Sequence, residues 1–314
     1  MQSKIRDAAL KLGNIDAQPV TGHNFDVWHN RWKTMSLGSY MASAYDPSKL
    51  SGWPLDEITI WVAIAPTPPI GEWPEGCGEI GGFYMCSRQR EKRRVAWEKA
   101  AVELGYEIKS DVTLPERAAA IRAGLGVHGL NGLMIAPDYG SFVDITVLLV
   151  HAPPPPDARG PEHDLSPGCG NCGDCIKACP TGAISENGVD TQICLRSYMN
   201  WLESMPEEYY PKMGRRILGC DTCQHVCPKN AGLKREQPPA DMIDCMKLEE
   251  LLTKPDIDHI SKYIKLYETS VKTQAVLAAA NTGRKDLLPL IEALTGSEDK
   301  TLDRAVKWAV NQLK

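Results

Sequence analysis

Two short cysteine runs constrain this chain more than anything else in it. The first, "GCGNCGDCIKACPTGAI" (168–184), sets Cys169, Cys172, Cys175 and Cys179 in the pattern C-x2-C-x2-C-x3-C, followed by Pro180. The second, "GCDTCQHVCPKN" (219–230), sets Cys220, Cys223 and Cys227 as C-x2-C-x3-C, followed by Pro228. Cys194 stands between the runs. Two-residue gaps let adjacent loop thiolates converge on one face of an iron–sulfur cube, while the cysteine before each proline is carried to the other cube. That crossing predicts one [4Fe–4S] cluster on Cys169, Cys172, Cys175 and Cys227. It predicts a second on Cys179, Cys194, Cys220 and Cys223. Eight thiolates then close two sets of four. Zinc also uses C-x2-C, but usually as two separated pairs. A triple run ending in Cys-Pro, and repeated, favours iron–sulfur. Cys77, Cys86 and Cys245 are left over and are expected to be small buried hydrophobes.

Nine of the eleven cysteines fall between residues 169 and 245. Thiols kept reduced in such number point to the cytosol rather than to a disulfide framework. The start, "MQSKIRDAALKLG", has no signal-peptide core or twin-arginine signal, and no apolar run approaches the length of a membrane span. A cytoplasmic protein without a membrane partner is therefore expected. A net charge of −5 gives no global pull toward nucleic acid.

Around the cysteines the pattern is mixed. "ITIWVAIAP" (58–66) and "FVDITVLLV" (142–150) read as strands, and "LMIAPDYGSF" as a strand entering a turn. "REKRRVAWEKAAVELGYEI" (90–108) reads as a helix with Val95, Ala96, Ala100 and Leu104 inward, closed by Gly105. "LPERAAAIRAGLG" (114–126) reads as a second helix, with Pro115 in its first turn and Gly124 or Gly126 at its stop. The alternation suggests an α/β or α+β domain. "HAPPPPDARGPEHDLSPG" (151–168) is a stiff boundary. After residue 240 the pattern turns helical and looks like one or two helical-repeat units.

The order of "PERAAAIRAGLGVHGLNGLMIAPDYGSF", a two-cluster segment and a helical tail resembles epoxyqueuosine reductases. These are cobalamin-dependent iron–sulfur enzymes whose corrinoid-binding core is related to reductive dehalogenases. The resemblance implies an α+β chain in three parts. An α/β corrinoid and substrate domain would span 1–155, a bacterial two-[4Fe–4S] ferredoxin-like domain 156–239, and a short HEAT-like helical cap 240–314. It implies an oxidoreductase that passes single electrons through two clusters to a bound cobalamin. A low-potential ferredoxin or flavodoxin would supply the electrons, and a small or nucleoside-like substrate would receive them.

The family's proton-donating aspartate maps to Asp111 in "SDVTLPERA", where burial beside a flat apolar cofactor would favour the protonated form. Capping of the following helix is the other role open to it. Arg117 could touch a cofactor propionamide or the substrate, or simply sit with Glu116 at the helix start. The resemblance brings Gly124, Gly126, His128, Gly129, Tyr139 and Ser141 into the cofactor-binding set. Turn geometry for the glycines and plain packing for His128 are the alternatives. The chain departs from the family in spacing, with Asp111 four residues before Pro115 and five before Glu116 instead of three and six. Val127 and Leu130 replace an aromatic and a lysine, His128 is new, and the D-x-H-x-x-G cobalt-ligand signature is absent.

Two features bear on partners. "SRQREKRR" (87–94), and Lys212, Arg215, Arg216, Lys229, Lys234 and Arg235 near the clusters, could face tRNA phosphates, attract an acidic electron carrier, or be solvated helix faces. Trp28, Trp32, Trp53 and Trp73 could wall a pocket or pack a lid. The competing function is an electron-transfer protein that reactivates a corrinoid on a partner and turns over no substrate. A plain ferredoxin-like module would need no such large N-terminal domain.

Overall fold

Two nine-residue apolar strands organise the N-terminal half. The computed structural model describes residues 3–28, 46–109, 114–161, 167–199, 201–264 and 268–314, with side chains except at 268 and 269. Strand β1 (Asp16–Thr21) pairs with β2 (Ile58–Pro66), β2 with β6 (Val143–His151), and β6 with the short β3 (Ile108–Lys109). Every pairing in this sheet is antiparallel, with Ile58 opposite His151 and Pro66 opposite Val143. The domain expected as α/β is thus of the α+β kind. The sequence left this open because a nearly continuous apolar strand signals burial on both faces, which parallel strands usually show.

Here helices cover both faces of an antiparallel sheet. Ile58, Ile60, Val62 and Ile64 of β2 meet helix α3 (Glu116–Arg122) through Ala118, Ala119 and Ala120, whose small side chains let the helix lie close. Trp61 and Ala63 point the other way, onto Ile5 and Ala9 of α1 (Ser3–Lys11) and Trp97 and Ala101 of α2 (Ser87–Glu103). The period of two along β2 separates these layers.

Helix α2 is rotated from the expected face. Trp97 and Ala101 are buried, whereas Val95 is 49 % exposed. The stripe through Val95 would have left the Trp97 indole in water, and its area outweighs one valine. The Trp97 indole N–H also finds the Ile5 carbonyl at 3.0 Å. Gly105 closes the helix as expected, at φ 89°.

A second core joins three stretches of sequence. Ile70, Trp73, Ile80 and Met85 pack with Met205, Tyr210, Met213 and Ile217, and with the tail. Glu79–Ile80 pairs in parallel with Arg216–Leu218, and the Gly71 and Gly78 amides donate to the Glu236 and Met246 carbonyls at 2.7 Å. The tail is helical. It comprises α6 (Ala240–Cys245), α7 (Leu248–Thr253), α8 (Ile257–Ile260), α9 (Glu268–Asn281) and α10 (Lys300–Leu313), with two short helical segments between α9 and α10. Val271, Ala275 and Ala278 of α9 and Leu302, Ala305 and Ala309 of α10 lie in this core. No helix among the described residues is long and apolar enough to cross a membrane.

Candidate metal centre

Both cysteine runs fold into a turn followed by one short helix. These are α4 (Asp174–Ala178), which carries Cys175, and α5 (Thr222–His225), which carries Cys223. The two helices pack together, which sets the middle cysteine of one run beside that of the other. Asn171 and Gly173 reach the left-handed region at φ 52° and 78°, the kind of backbone that turns successive thiols to one side.

Cys169, Cys172, Cys175 and Cys227 line one pocket with Pro228 and Lys229. Its far wall is Gly129, Leu130, Asn131 and Ile135, from the hairpin of β4 (Val127–His128) and β5 (Met134–Ile135). The other set gathers on the opposite side of α4 and α5. Burial pushes the Cys223 thiol far above its ordinary range, and the charges of Cys220, Cys194, Asp221 and Cys175 add to the shift. Burial also raises Cys194, with Cys220 and Cys179 close by. Cys175, raised by burial and by Cys169 and Cys172, lies between the sets.

This donor chemistry fits a positively charged metal cluster. Crowded buried thiols resist ionisation as long as no cation stands among them. Backbone amides meanwhile aim at the sulfurs. At Cys179 burial works upward, yet the Thr181, Ala183 and Ile184 amides and the Thr181 hydroxyl bring the thiol below its ordinary range. At Cys194 the Arg196 and Ser197 amides oppose burial, and at Cys227 the Lys229 and Asn230 amides do so. Such donors favour sulfur in its anionic, ligating form. All eleven cysteines are free of disulfides. Of the three left over, Cys77 is buried and Cys86 is pushed up to about 11, first by burial and then by Asp144. Cys86 and Cys245 are only partly buried, against expectation.

The thiol hairpin is tied to helix α3. Arg117 donates from Nη1 to the Gly132 carbonyl at the hairpin tip. Beside it, solvent reaches Glu116, yet its surroundings push its carboxyl up while Arg90 and Arg117 oppose the shift. A group bound against Glu116 and Arg117 would be one hairpin away from the first set of thiols.

Several residues expected to hold a cofactor make close contacts within the fold. A side chain at Gly124 would collide with the Arg159 guanidinium at 1.7 Å, one at Gly126 with the Ile135 carbonyl at 2.6 Å, and one at Gly129 with Asn131 Oδ1 at 2.7 Å. These glycines thus provide close packing and turn geometry. His128 is buried, with its ring centroid 5.2 Å from that of Trp28. Ser141 Oγ donates to Gln224 Oε1 and accepts from Asn230 Nδ2, each at 2.9 Å, and its amide donates to Asn230 Oδ1. It ties the sheet domain to the cysteine segment and is no open cofactor contact. Tyr139 packs, half-buried, at the edge of the first core. Asp111 lies outside the described residues, as does Trp32.

Gln224 and Asn230 were not legible as site residues, since a polar residue beside a cysteine run reads as loop. Trp28 is core, and Trp53 stacks on His151 at 4.6 Å. Trp73 is buried but also borders a cavity of about 190 Å³ with Arg216, Asp221, His225 and Arg235, next to Cys220 and Cys223. The basic run is largely spent. Arg88 bonds the Ser261 carbonyl, Arg90 lies over the Phe83 ring, Arg93 pairs with buried Asp144, and Arg94 pairs with Glu91 and Glu98. Lys92, Lys212, Lys229, Lys234 and Arg235 are exposed.

Comparison with known proteins agrees with this site. The 4Fe-4S double cluster binding domain family matches residues 168–230, so the segment carries two [4Fe–4S] clusters. Epoxyqueuosine reductase of Staphylococcus aureus (strain NCTC 8325 / PS 47) is 34 % identical over 250 residues, 74 % of this chain and 63 % of that protein. The chain thus spans less than two thirds of that relative's length. Epoxyqueuosine reductase of Lactococcus garvieae (strain Lg2) is 30 % identical over 252 residues, 76 % of this chain and 70 % of that protein. An epoxyqueuosine reductase solved with an epoxyqueuosine-modified tRNA-Tyr stem loop superposes with a TM-score of 0.80 at 23 % identity, covering 99 % of this chain and 90 % of that one. That likeness establishes the fold across nearly the whole chain. Together with the identity that extends over more than two thirds of the Lactococcus protein, it means that this chain belongs to the epoxyqueuosine reductase family.

Proposed function

We propose that this protein is an iron–sulfur, cobalamin-dependent oxidoreductase that reduces epoxyqueuosine in tRNA. The observation that carries the reading is the succession of two four-thiol sets and the hairpin that walls the first of them and is tied to Arg117, next to Glu116, on helix α3. In this reading Cys179, Cys194, Cys220 and Cys223 hold the cluster that receives electrons. Cys169, Cys172, Cys175 and Cys227 hold the cluster that passes them on. An acidic ferredoxin or flavodoxin would dock near Arg216 and Arg235, beside the second set.

Reduction of an epoxide takes two electrons and two protons. Cobalamin, bound beside Glu116 and Arg117, would supply a metal centre that accepts electrons one at a time and presents them to the substrate carbon. Glu116 and Arg117 are the residues placed to hold it or the substrate. The raised Glu116 carboxyl retains a proton at higher pH than a free carboxylate would. Asp111, four residues before Pro115, is proposed as the proton donor to the substrate. Lys229, Lys234 and Arg235 are exposed cations that suit tRNA phosphates. The helical tail is read as HEAT-like. Reduced thiols and a tRNA substrate both belong to the cytosol, and the enzyme is placed there.

The test is anaerobic reconstitution with iron, sulfide and cobalamin, followed by incubation with a reductant and an epoxyqueuosine-bearing tRNA stem loop. Loss of the epoxide, dependent on cobalamin and abolished by Asp111→Asn, is expected. Full iron content with no cobalamin spectral change and no turnover would overturn the reading. Reduction of a partner's corrinoid, with tRNA untouched, would replace it by the electron-transfer function.

A further inference from the structure

Away from the clusters, the tail gathers a third set of metal-ligating side chains. Asp241 and Cys245 lie four residues apart on α6, so they share a face. Asp256 and His259 lie three apart at the start of α8, which packs against α6. One ligand atom each from Cys245, Asp256 and His259 falls within 4.8 Å of the others. We propose that Cys245, Asp256 and His259 form a mononuclear zinc site, with Asp241 orienting the histidine.

Sulfur, imidazole nitrogen and carboxylate oxygen together are a zinc donor set, and three protein ligands leave a fourth position for water or a second carboxylate. Two of the ligands, Asp256 and His259, are already positioned by separate contacts. Asp256 Oδ1 accepts from the His259 amide at 2.9 Å, which fixes the carboxylate and leaves Oδ2 for the metal. His259 Nε2 lies 2.9 Å from Asp241 Oδ2, the carboxylate–histidine pairing that orients metal-bound imidazoles. Tyr263 in turn donates its hydroxyl to Asp241 at 3.0 Å. Charge points the same way. Asp241, Asp244 and Asp256 surround the Cys245 thiol, with Lys262 as the nearby cation. The Lys262 ammonium donates to His259 Nδ1 at 3.2 Å, so this nitrogen presents its lone pair, and zinc bound there would displace the ammonium. None of these residues belongs to the eight cluster cysteines, and the site does not depend on the proposed reaction.

The test uses full-length protein, first loaded anaerobically with iron and sulfide so that the cluster cysteines are occupied. It is then incubated with zinc chloride, desalted and analysed for zinc and iron per chain. One zinc per chain is expected, with about eight iron atoms retained. Cys245→Ser and His259→Ala should each lower zinc retention at least about tenfold with iron unchanged. Asp256→Asn, at an exposed position, provides a third variant and should weaken zinc binding too. Zinc-edge X-ray absorption should show a single sulfur neighbour. Zinc absent from iron-replete wild type, zinc retained equally by all three variants, or a zinc bound by four sulfurs would each overturn the proposal.

Discussion

The cysteine segment and the 124–141 hairpin region face each other across the first thiol pocket, yet their side chains are committed in opposite ways. The thiols make few contacts that the fold needs. Backbone amides supply their hydrogen bonds, and their own chemistry stays available for metal. In the hairpin region, Gly124, Gly126, Gly129 and Ser141 are consumed by packing and by the tie to Gln224 and Asn230. A ligand set can be read from spacing when its residues serve little else. It cannot be read so where each residue already has a neighbour within the fold.

Substitutions on the two sides should therefore differ in kind. The largest effect is expected from Cys223→Ser, which should remove the second cluster, lower iron from about eight to about four atoms per chain, and abolish turnover with a physiological donor. Retention of all the iron would place Cys223 outside the ligand set. Asn230→Ala comes next. It takes away the acceptor of the buried Ser141 amide and the donor to Ser141 Oγ and the Gln224 carbonyl, so a loss of about 1–3 kcal/mol in stability is expected in thermal or denaturant unfolding. Iron should stay bound in that variant below its melting transition.

Glu116→Gln should have a smaller, pH-dependent effect. The folded protein raises this carboxyl above its ordinary value of 4.5. Its favourable contribution is therefore complete below that value and is lost as pH rises through the folded pKa. Unfolding curves should show the Gln variant gaining on wild type as pH rises from about 4.5 toward neutrality. Parallel pH profiles would contradict a raised carboxyl at Glu116. The smallest effect is expected for Lys234→Ala with Arg235→Ala, which should weaken tRNA stem-loop binding modestly and flatten its salt dependence by about one unit per lost phosphate contact.

Legibility in the sequence followed the same division. The strands at 58–66 and 143–151 were visible because their apolar runs are long, but their antiparallel pairing was not, since burial on both faces looks alike in either arrangement. The face of α2 was misjudged because Trp97, one large residue, outweighs a stripe of small ones. Helix α3 and its glycine stop were legible from Pro115 and Gly124. The sharing of a core by residues 70–85 and the tail had no local signal, since nothing in either stretch specifies its distant partner. Cys245 looked like an isolated thiol because its neighbours Asp256 and His259 come from another helix, although the D-x3-C and D-x2-H spacings were visible.

The central claim is that the cysteine before each proline crosses to the other cluster, and iron counts in paired variants test it most directly. If Cys172 and Cys227 share a cluster, Cys172→Ser with Cys227→Ser removes only that cluster and leaves about four iron atoms per chain. Cys220→Ser with Cys227→Ser should then strip both clusters. The reverse pattern, with about four iron atoms left in the second pair and almost none in the first, would show that each run keeps its own cluster and would contradict the account.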